Sequence, residues 1–427
     1  MAAPRFGLYG PYGWGNLGDA AIQESMLANL RARWPEAQFV GISLNPTNTT
    51  EIHGIDAVPI LRTWLPPRAR VAGSSAGAAP VHTPPVNPPA RWKQARPVRW
   101  LKAILRPLRE LLGEVRFGAK NLTILRSLDR LVISGGGQIT DDWGGPLDHP
   151  WSMFSWVLCA RLAGVPVSVV SVGAGPIDSP WSRRLFFAAL RMAENRSVRD
   201  EESREFLRHS GCTLPVEVCA DLAFSHPLPD KPPKGDQSLV VGISPMSYMH
   251  PQPGVWPEHD AARYQRHLDT LEGFTRSVID AGYRVRLFCN QIRNDRFAFD
   301  DLVERLGPVE GLEAEPSPPQ PQKRVQVAGV DLVVTSRLHG VILSYLQSVP
   351  VIALSYEEKI DAVMRQFGQT GFCLDIDAVS AENLQERFEA LMSRREAIRA
   401  SIAATTSTHR TRLDAQYDRL FGIGEAS

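Results

Sequence analysis

Residues 6–27 read FGLYGPYGWGNLGDAAIQESML. Phe6 to Tyr9 form a short strand-like run, glycines recur at 10, 13, 15 and 18, and a helix-length segment begins at Ala20. Strand, glycine-rich turn and helix make up the unit from which parallel α/β sheets are built. Gly13, Gly15 and Gly18 stand in G-x-G-x-x-G spacing, which lets a pyrophosphate approach the backbone at a helix N-terminus. The acid that would hold a ribose hydroxyl is missing, because the next strand runs out at Ser43-Leu44-Asn45. Dinucleotide binding of the NAD kind is therefore disfavoured. What survives is a tight turn, with Asp19 able to cap the helix and Asn16 able to face a ligand.

The same rhythm continues along the chain. Strands are expected at Gln38 to Ser43, Arg130 to Ser134, Val167 to Val172, Arg196 to Val198 and Val216 to Cys219, with helices between them. The stretch 226–237 (HPLPDKPPKGDQ) has four prolines and no apolar period, and reads as a linker. A second α/β unit follows, with strands at Leu239 to Ser244, Arg284 to Phe288, Asp331 to Thr335 and Val351 to Leu354, and helices that include Ala381 to Thr405. The fold class expected is α/β, with two Rossmann-like domains of parallel sheet and a cleft between them. The first covers 1–225 and the second 238–380, and the helices of 381–427 are expected to pack back on the first.

The 427 residues carry 47 basic and 46 acidic side chains, so a nucleic-acid binder acting through a basic field over its whole surface is not expected. The balance is local, however: Arg62 to Lys120 holds 12 Lys and Arg against Glu110 and Glu114. This insertion, 62–120, has a Pro/Ala/Gly-rich part that cannot build a core and a basic amphipathic part, 98–117. Two readings of 98–117 stand: a helix lying on its own domain, or a peripheral contact with a membrane or partner. Pro107 counts against either as a continuous helix. Five scattered cysteines without C-x-x-C spacing indicate neither a disulfide framework nor a zinc ribbon, and fit a reducing cytoplasm. No run is long and apolar enough to span a membrane, and no metal cluster is visible; Asp375-Ile376-Asp377, before a helix, reads as cap chemistry.

Two further strands end in glycine, at Gly135-Gly136-Gly137 and at Gly173-Ala174-Gly175. Open sheets bind ligands at that edge, although close helix packing asks for small residues as well. Arg199, before the acidic helix start Asp200-Glu201-Glu202, either pairs with Asp200 or Asp221 or faces an anion. In the second unit Ser336-Arg337-Leu338-His339 joins an apolar strand to a helix. A cation beside an imidazole at a helix N-terminus suits an anionic substrate that needs proton transfer. A helix N-terminus also favours a neutral imidazole. Lys359, after Ser355-Tyr356, adds a cation at the same edge.

Gly15-Asn16-Leu17-Gly18-Asp19, the triplet at 135–137, Gly173-Ala174-Gly175-Pro176, Val198 to Ser203, Ala220-Asp221, Ser336 to His339 and Ser355-Tyr356 with Lys359 together resemble the polysaccharide pyruvyl transferase family over nearly the whole chain. The resemblance implies two lobes of the GT-B glycosyltransferase kind. It also implies transfer of a pyruvyl group from phosphoenolpyruvate, a co-substrate and not a cofactor, to two hydroxyls of a saccharide or glycolipid acceptor as a ketal. On this reading His339 is catalytic. Arg337, Arg199, Lys359, Gly136 and Gly137 hold the donor, and Asn16, Asp19, Gly15 and Gly175 face the acceptor. The insertion departs from the family pattern and leaves the acceptor and any oligomer open. Two rivals remain: a GT-B glycosyltransferase using a nucleotide sugar, and a non-catalytic glycan- or partner-binding member.

Overall fold

The computed structural model describes residues 3–13, 16–62, 112–141, 144–227, 239–316 and 329–422. Most of the insertion (63–111), the linker 226–237 except His226 and Pro227, and Gly15 lie outside the described residues.

In the first half the elements are β1 (Arg5–Tyr9), α1 (Leu17–Arg33), β2 (Gln38–Ser43), α2 (Pro46–His53), β3 (Asp56–Pro59), the helical stretch α3 (112–125), β4 (Arg130–Ser134), β5 (Gly137–Ile139), α4 (His149–Ala163), β6 (Val167–Ala174), α5 (Pro180–Met192), β7 (Asn195–Val198), α6 (Glu201–His209) and β8 (Glu217–Val218), then a 3₁₀ turn at Leu222–Ser225. The second half holds β9 (Val240–Ser244), α7 (Ala261–Asp280), β10 (Arg284–Leu287), α8 (Ile292–Leu306), β11 (Leu312–Ala314), β12 (Leu332–Thr335), α9 (Leu338–Leu346), β13 (Val351–Ser355), α10 (Glu358–Gln366), β14 (Cys373–Asp375), α11 (Ala381–Ser393) and α12 (Arg395–Phe421).

Every strand pair is parallel. The first sheet runs β3-β2-β1-β4-β6-β7-β8, with β5 paired to β6, and the second runs β11-β10-β9-β12-β13-β14. Counted from its own first strand, the second sheet has the 3-2-1-4-5-6 Rossmann order. The order in which strands are added switches between β1 and β4 in one sheet and between β9 and β12 in the other, and open parallel sheets bind ligands at the strands' carboxyl ends beside such a switch. Central strands such as β6 are buried on both faces, which is why their runs are continuously Val-rich.

The sequence pattern passes over β3, β5, β11 and β14. Three are outermost strands, β5 sits off the main path, and all have three or four residues. Short edge strands carry little apolar signal because only part of each is covered.

One face of the first sheet packs on α3, α4, α5 and α6; the other packs on α1 and joins the core of the second lobe. Ala381 to Thr405 reads as one helix in sequence but breaks at Arg394, where no Gly or Pro marks the break. The break separates two roles. α11 stays against α7 of the second lobe, whereas α12 crosses to the first. Thr406 Oγ1 donates to the Tyr345 carbonyl of α9, and one turn on, the His409 ring stacks on Phe224 and lies tilted against Phe367. Further along, Gln416 reaches Ser171 of β6 (3.1 Å), Tyr417 reaches Ser225 (3.2 Å), and Phe421 meets Phe6 edge-on. Leu413→Ala, in the fully buried middle of this strap, is expected to cost about 2–5 kcal/mol, read as a lower midpoint in urea unfolding; an unchanged midpoint would show that the strap is dispensable.

Candidate active site

α1 starts in contact with the other lobe. Asn16 caps it by accepting the Gly18 N–H (3.0 Å), forms an antiparallel bridge with Gln291, and is followed by Leu17, whose N–H donates to the Asn290 carbonyl (3.4 Å). The sequence reading gave the cap to Asp19; the structure gives it to Asn16, which stands just before the helix where its side-chain oxygen reaches the N–H two residues on, whereas Asp19 lies inside the first turn. Gly18 has no Cβ, and one placed there would overlap the His339 ring. The imidazole of the second lobe thus rests on the first turn of the first lobe's helix.

Asp19 is buried behind this contact. A Cβ placed on Gly136, whose φ of +67° itself favours glycine, would lie 3.9 Å from Asp19 Oδ1 and 3.6 Å from Gln138 Nε2. Burial, reinforced by the like charge of Asp221, pushes the Asp19 carboxyl up to about 7, against the opposing pull of Lys359, Asn16 and Arg199. Gln138 follows the triplet on β5 and is fully buried, with neither amide atom meeting a protein partner. Sequence reasoning missed it; a polar residue between a glycine turn and an apolar strand was the available signal.

Arg199 follows β7. Its Nε donates to Asp200 (3.2 Å) and its Nη1 to Asp221 (3.3 Å), so both pairings open in the sequence are made. Its guanidinium lies where a Cβ on Gly173 would sit, which explains that glycine by packing. Gly175 is looser, with Thr140 at 3.9 Å, and nothing lies within 4 Å of a Cβ placed on Gly137.

On the second lobe Arg337 occupies the N-cap position of α9 and donates twice to Asp295 of α8, at 3.1 and 2.6 Å. Asp295 is fully buried, and Trp256 lies 5.7 Å below the guanidinium. Sequence gave no sign of this partner. The pairing outweighs desolvation and holds the Arg337 pKa above its ordinary value. His339 is half-buried, yet its Nε2 is shut off from solvent without a hydrogen-bond partner. Burial takes its pKa down to about 4, with Arg199 and Lys359 adding to the effect and Asp221 opposing it. Lys359 is more exposed and pairs with Glu357 at 2.8 Å. Asp377, read in sequence as part of a cap, instead accepts from Arg263 and Tyr248, while Ser380 caps α11.

Of the expected site residues, Asn16, Asp19, Gly136 and Arg199 therefore meet His339 and the charge of Lys359 where the lobes touch, and Arg337 stands two residues from that imidazole. A profile of polysaccharide pyruvyl transferases matches residues 16–358, which run from Asn16 of the first motif to the residue before Lys359. The chain belongs to that family. No curated protein matches the sequence. Solved structures add the fold. A Listeria monocytogenes protein described as a UDP-N-acetylglucosamine 2-epimerase is 12% identical over 98% of this chain and 97% of its own, with a TM-score of 0.58. Staphylococcus aureus MnaA, solved with UDP, is 11% identical over 99% of both chains (TM-score 0.55). Acinetobacter baumannii MurG is 11% identical over 98% of this chain and all of its own (TM-score 0.50). The two lobes have the GT-B arrangement, with no closed barrel among the described residues.

The buried carboxyl gives this family member a pH signature. Because the folded pKa of Asp19, about 7, lies above the unfolded value of 3.8, the native state keeps a proton that the unfolded chain has lost between these limits. Asp19 therefore draws stability down as pH rises from about 4 to 7. Asp19→Asn has no proton to lose, so its melting temperature is expected to gain several degrees on the parent between pH 5 and pH 8. A gap that stays constant over this range would show that Asp19 is ionised throughout.

Proposed function

We propose that the chain transfers the pyruvyl group of phosphoenolpyruvate to two hydroxyls of a saccharide acceptor, forming a ketal and releasing phosphate. The observation that carries this reading is a pair of titratable groups driven apart where the lobes meet. Burial raises the Asp19 carboxyl to about 7 and lowers the His339 imidazole to about 4, so between these values the carboxyl keeps its proton and the imidazole has lost its own. Groups separated in this way serve as acid and base in the same cleft. The family membership supplies the class of reaction.

Asp19, expected from sequence to face the acceptor, becomes the proton donor in this proposal. It gives its proton to the methylene carbon of the enol while His339 takes one from the attacking hydroxyl, so that a C–O bond forms at the central carbon. The bond from that carbon to the phosphate oxygen then breaks, and His339 returns its proton to the departing phosphate. The second hydroxyl adds and its proton restores Asp19, which closes the proton count. Arg337 and Arg199 meet the donor's phosphate and carboxylate through N–H groups that their carboxylate partners leave over. Lys359 and the backbone at Gly136 and Gly137 lie at the same edge, and the Gln138 amide and His339 Nε2 are polar atoms awaiting a partner. Asn16 and Gly175 stay on the acceptor side. The five cysteines are free thiols, which suits a cytoplasmic donor reaction.

Phosphate release from phosphoenolpyruvate in the presence of glycan acceptors is the direct assay. Asp19→Asn and His339→Ala are each expected to lower turnover about 10²- to 10⁴-fold with the fold retained. The parent should lose activity above about pH 7 as Asp19 ionises, and Asp19→Asn should lack that limb. The shared fold with a UDP-bound structure favours a second reading, a nucleotide-sugar transferase. Tight binding of a nucleoside diphosphate without phosphate release from any acceptor would select it.

A further inference from the structure

All the large hydrophobic side chains that stand exposed among the described residues lie in one layer of the molecule. Leu112 and Val115 are on α3, Leu147 leads into α4, Leu162 ends α4 and Trp181 starts α5, and they are between 49% and 82% exposed. The three helices cover the same face of the first sheet, the one turned away from α12 and the second lobe. They also touch each other. Phe117 of α3 meets Trp156 of α4 edge-on, and His149 of α4 lies 6.0 Å from Phe186 of α5.

The outward side of α4 carries Trp151, Phe154, Leu158 and Leu162 at helical spacing, with Trp151 and Phe154 in ring contact at 5.8 Å. A surface helix of a soluble domain turns its apolar stripe inward; α4 is apolar on both sides.

Charge on this layer has one sign. α4 and α5 contain Arg161, Arg183, Arg184 and Arg191 and no acidic side chain. α3 adds Arg116 and Lys120, and its single acid, Glu114, is taken by Arg62 at 2.7 Å. Asp148 and Asp178 stand only where α4 and α5 begin, and Asp148 is folded onto the Gly145 N–H. In a chain whose total formal charge is +1, this concentration is local. Trp181 and Arg184 stack at 5.0 Å, an apolar body next to a cation.

We propose that the α3–α4–α5 layer is a docking face for an anionic lipid surface. Apolar side chains enter the boundary between headgroups and acyl chains, and the arginines meet the phosphates. Charge decides between occupants. A two-fold dimer through this face would set the same six cations against each other, which repels. The chain's own segment 63–111 has nine basic residues and one acidic residue, a charge of the same sign as the layer's and opposite to that of an anionic surface. The site between the lobes is close to one end of this face. His149, in the first turn of α4, reaches the Gln138 carbonyl at 2.8 Å, and Gln138 neighbours Asp19 across Gly136. The inference does not depend on which reaction the cleft performs.

The test is co-sedimentation of the full-length protein with vesicles of phosphatidylglycerol and phosphatidylethanolamine, against vesicles of phosphatidylcholine alone. The parent is expected to pellet with the anionic vesicles and to be released by high salt. A cation at such a surface contributes about fivefold in affinity, so Arg183→Glu with Arg184→Glu should weaken binding by more than tenfold. Leu162→Glu with Trp181→Glu should do the same while leaving the melting temperature unchanged. Three results would overturn the proposal: no binding by the parent to anionic vesicles, unchanged binding by both double variants, which would move the contact to 63–111, or a parental dimer in size-exclusion chromatography that both variants dissolve.

Discussion

The imidazole of His339 rests on the α-carbon of Gly18, and much of the site follows from that contact. It forces the first turn of α1 onto the loops of the second sheet, where Asn16 and Leu17 bond to Gln291 and Asn290. With the turn held there, Asp19 is closed in behind it, and the histidine loses the water that would let it charge. Two opposite protonation states therefore have one cause, the exclusion of solvent where the lobes meet. Alanine at position 18 would push the imidazole away and open both groups to water.

The cations of the cleft are already paired before any ligand arrives. Arg337 has Asp295, and Arg199 has Asp200 and Asp221. A buried pair adds little net stability, because desolvation takes back most of the Coulombic gain, but it fixes where a guanidinium stands. The carboxylates act here as rigid supports. They hold the two forks in place, as the proposed reaction requires of groups that meet a donor with two anionic ends.

The two parallel sheets were legible in the sequence because β6, β9, β12 and β13 are buried on both faces and read as unbroken aliphatic runs. The outermost strands β3, β11 and β14 were not, since three or four residues are too few to show a period. Arg337 and His339 were legible because they follow such a run, β12, and Arg199 because it stands between a short strand and an acidic helix start. Their supports were not. Asp295 is 42 residues from Arg337 and lies on an amphipathic helix, where a carboxylate reads as a solvated side chain. Gln138 was hidden by its glycines, which drew attention to the backbone and away from the amide that follows them. The protonated state of Asp19 depends on burial by a distant loop and has no local signature.

α12 belongs to the first lobe in space and to the second in sequence. Phe6, Trp34 and Ser171 belong to β1, the end of α1 and β6, yet their contacts with Phe421 and Gln416 become available only once α12 has been made. The half of the protein that is made first is therefore finished last. Folding lobe by lobe during synthesis cannot run to completion, and a nascent chain must carry an uncovered apolar face on α1 through most of its translation.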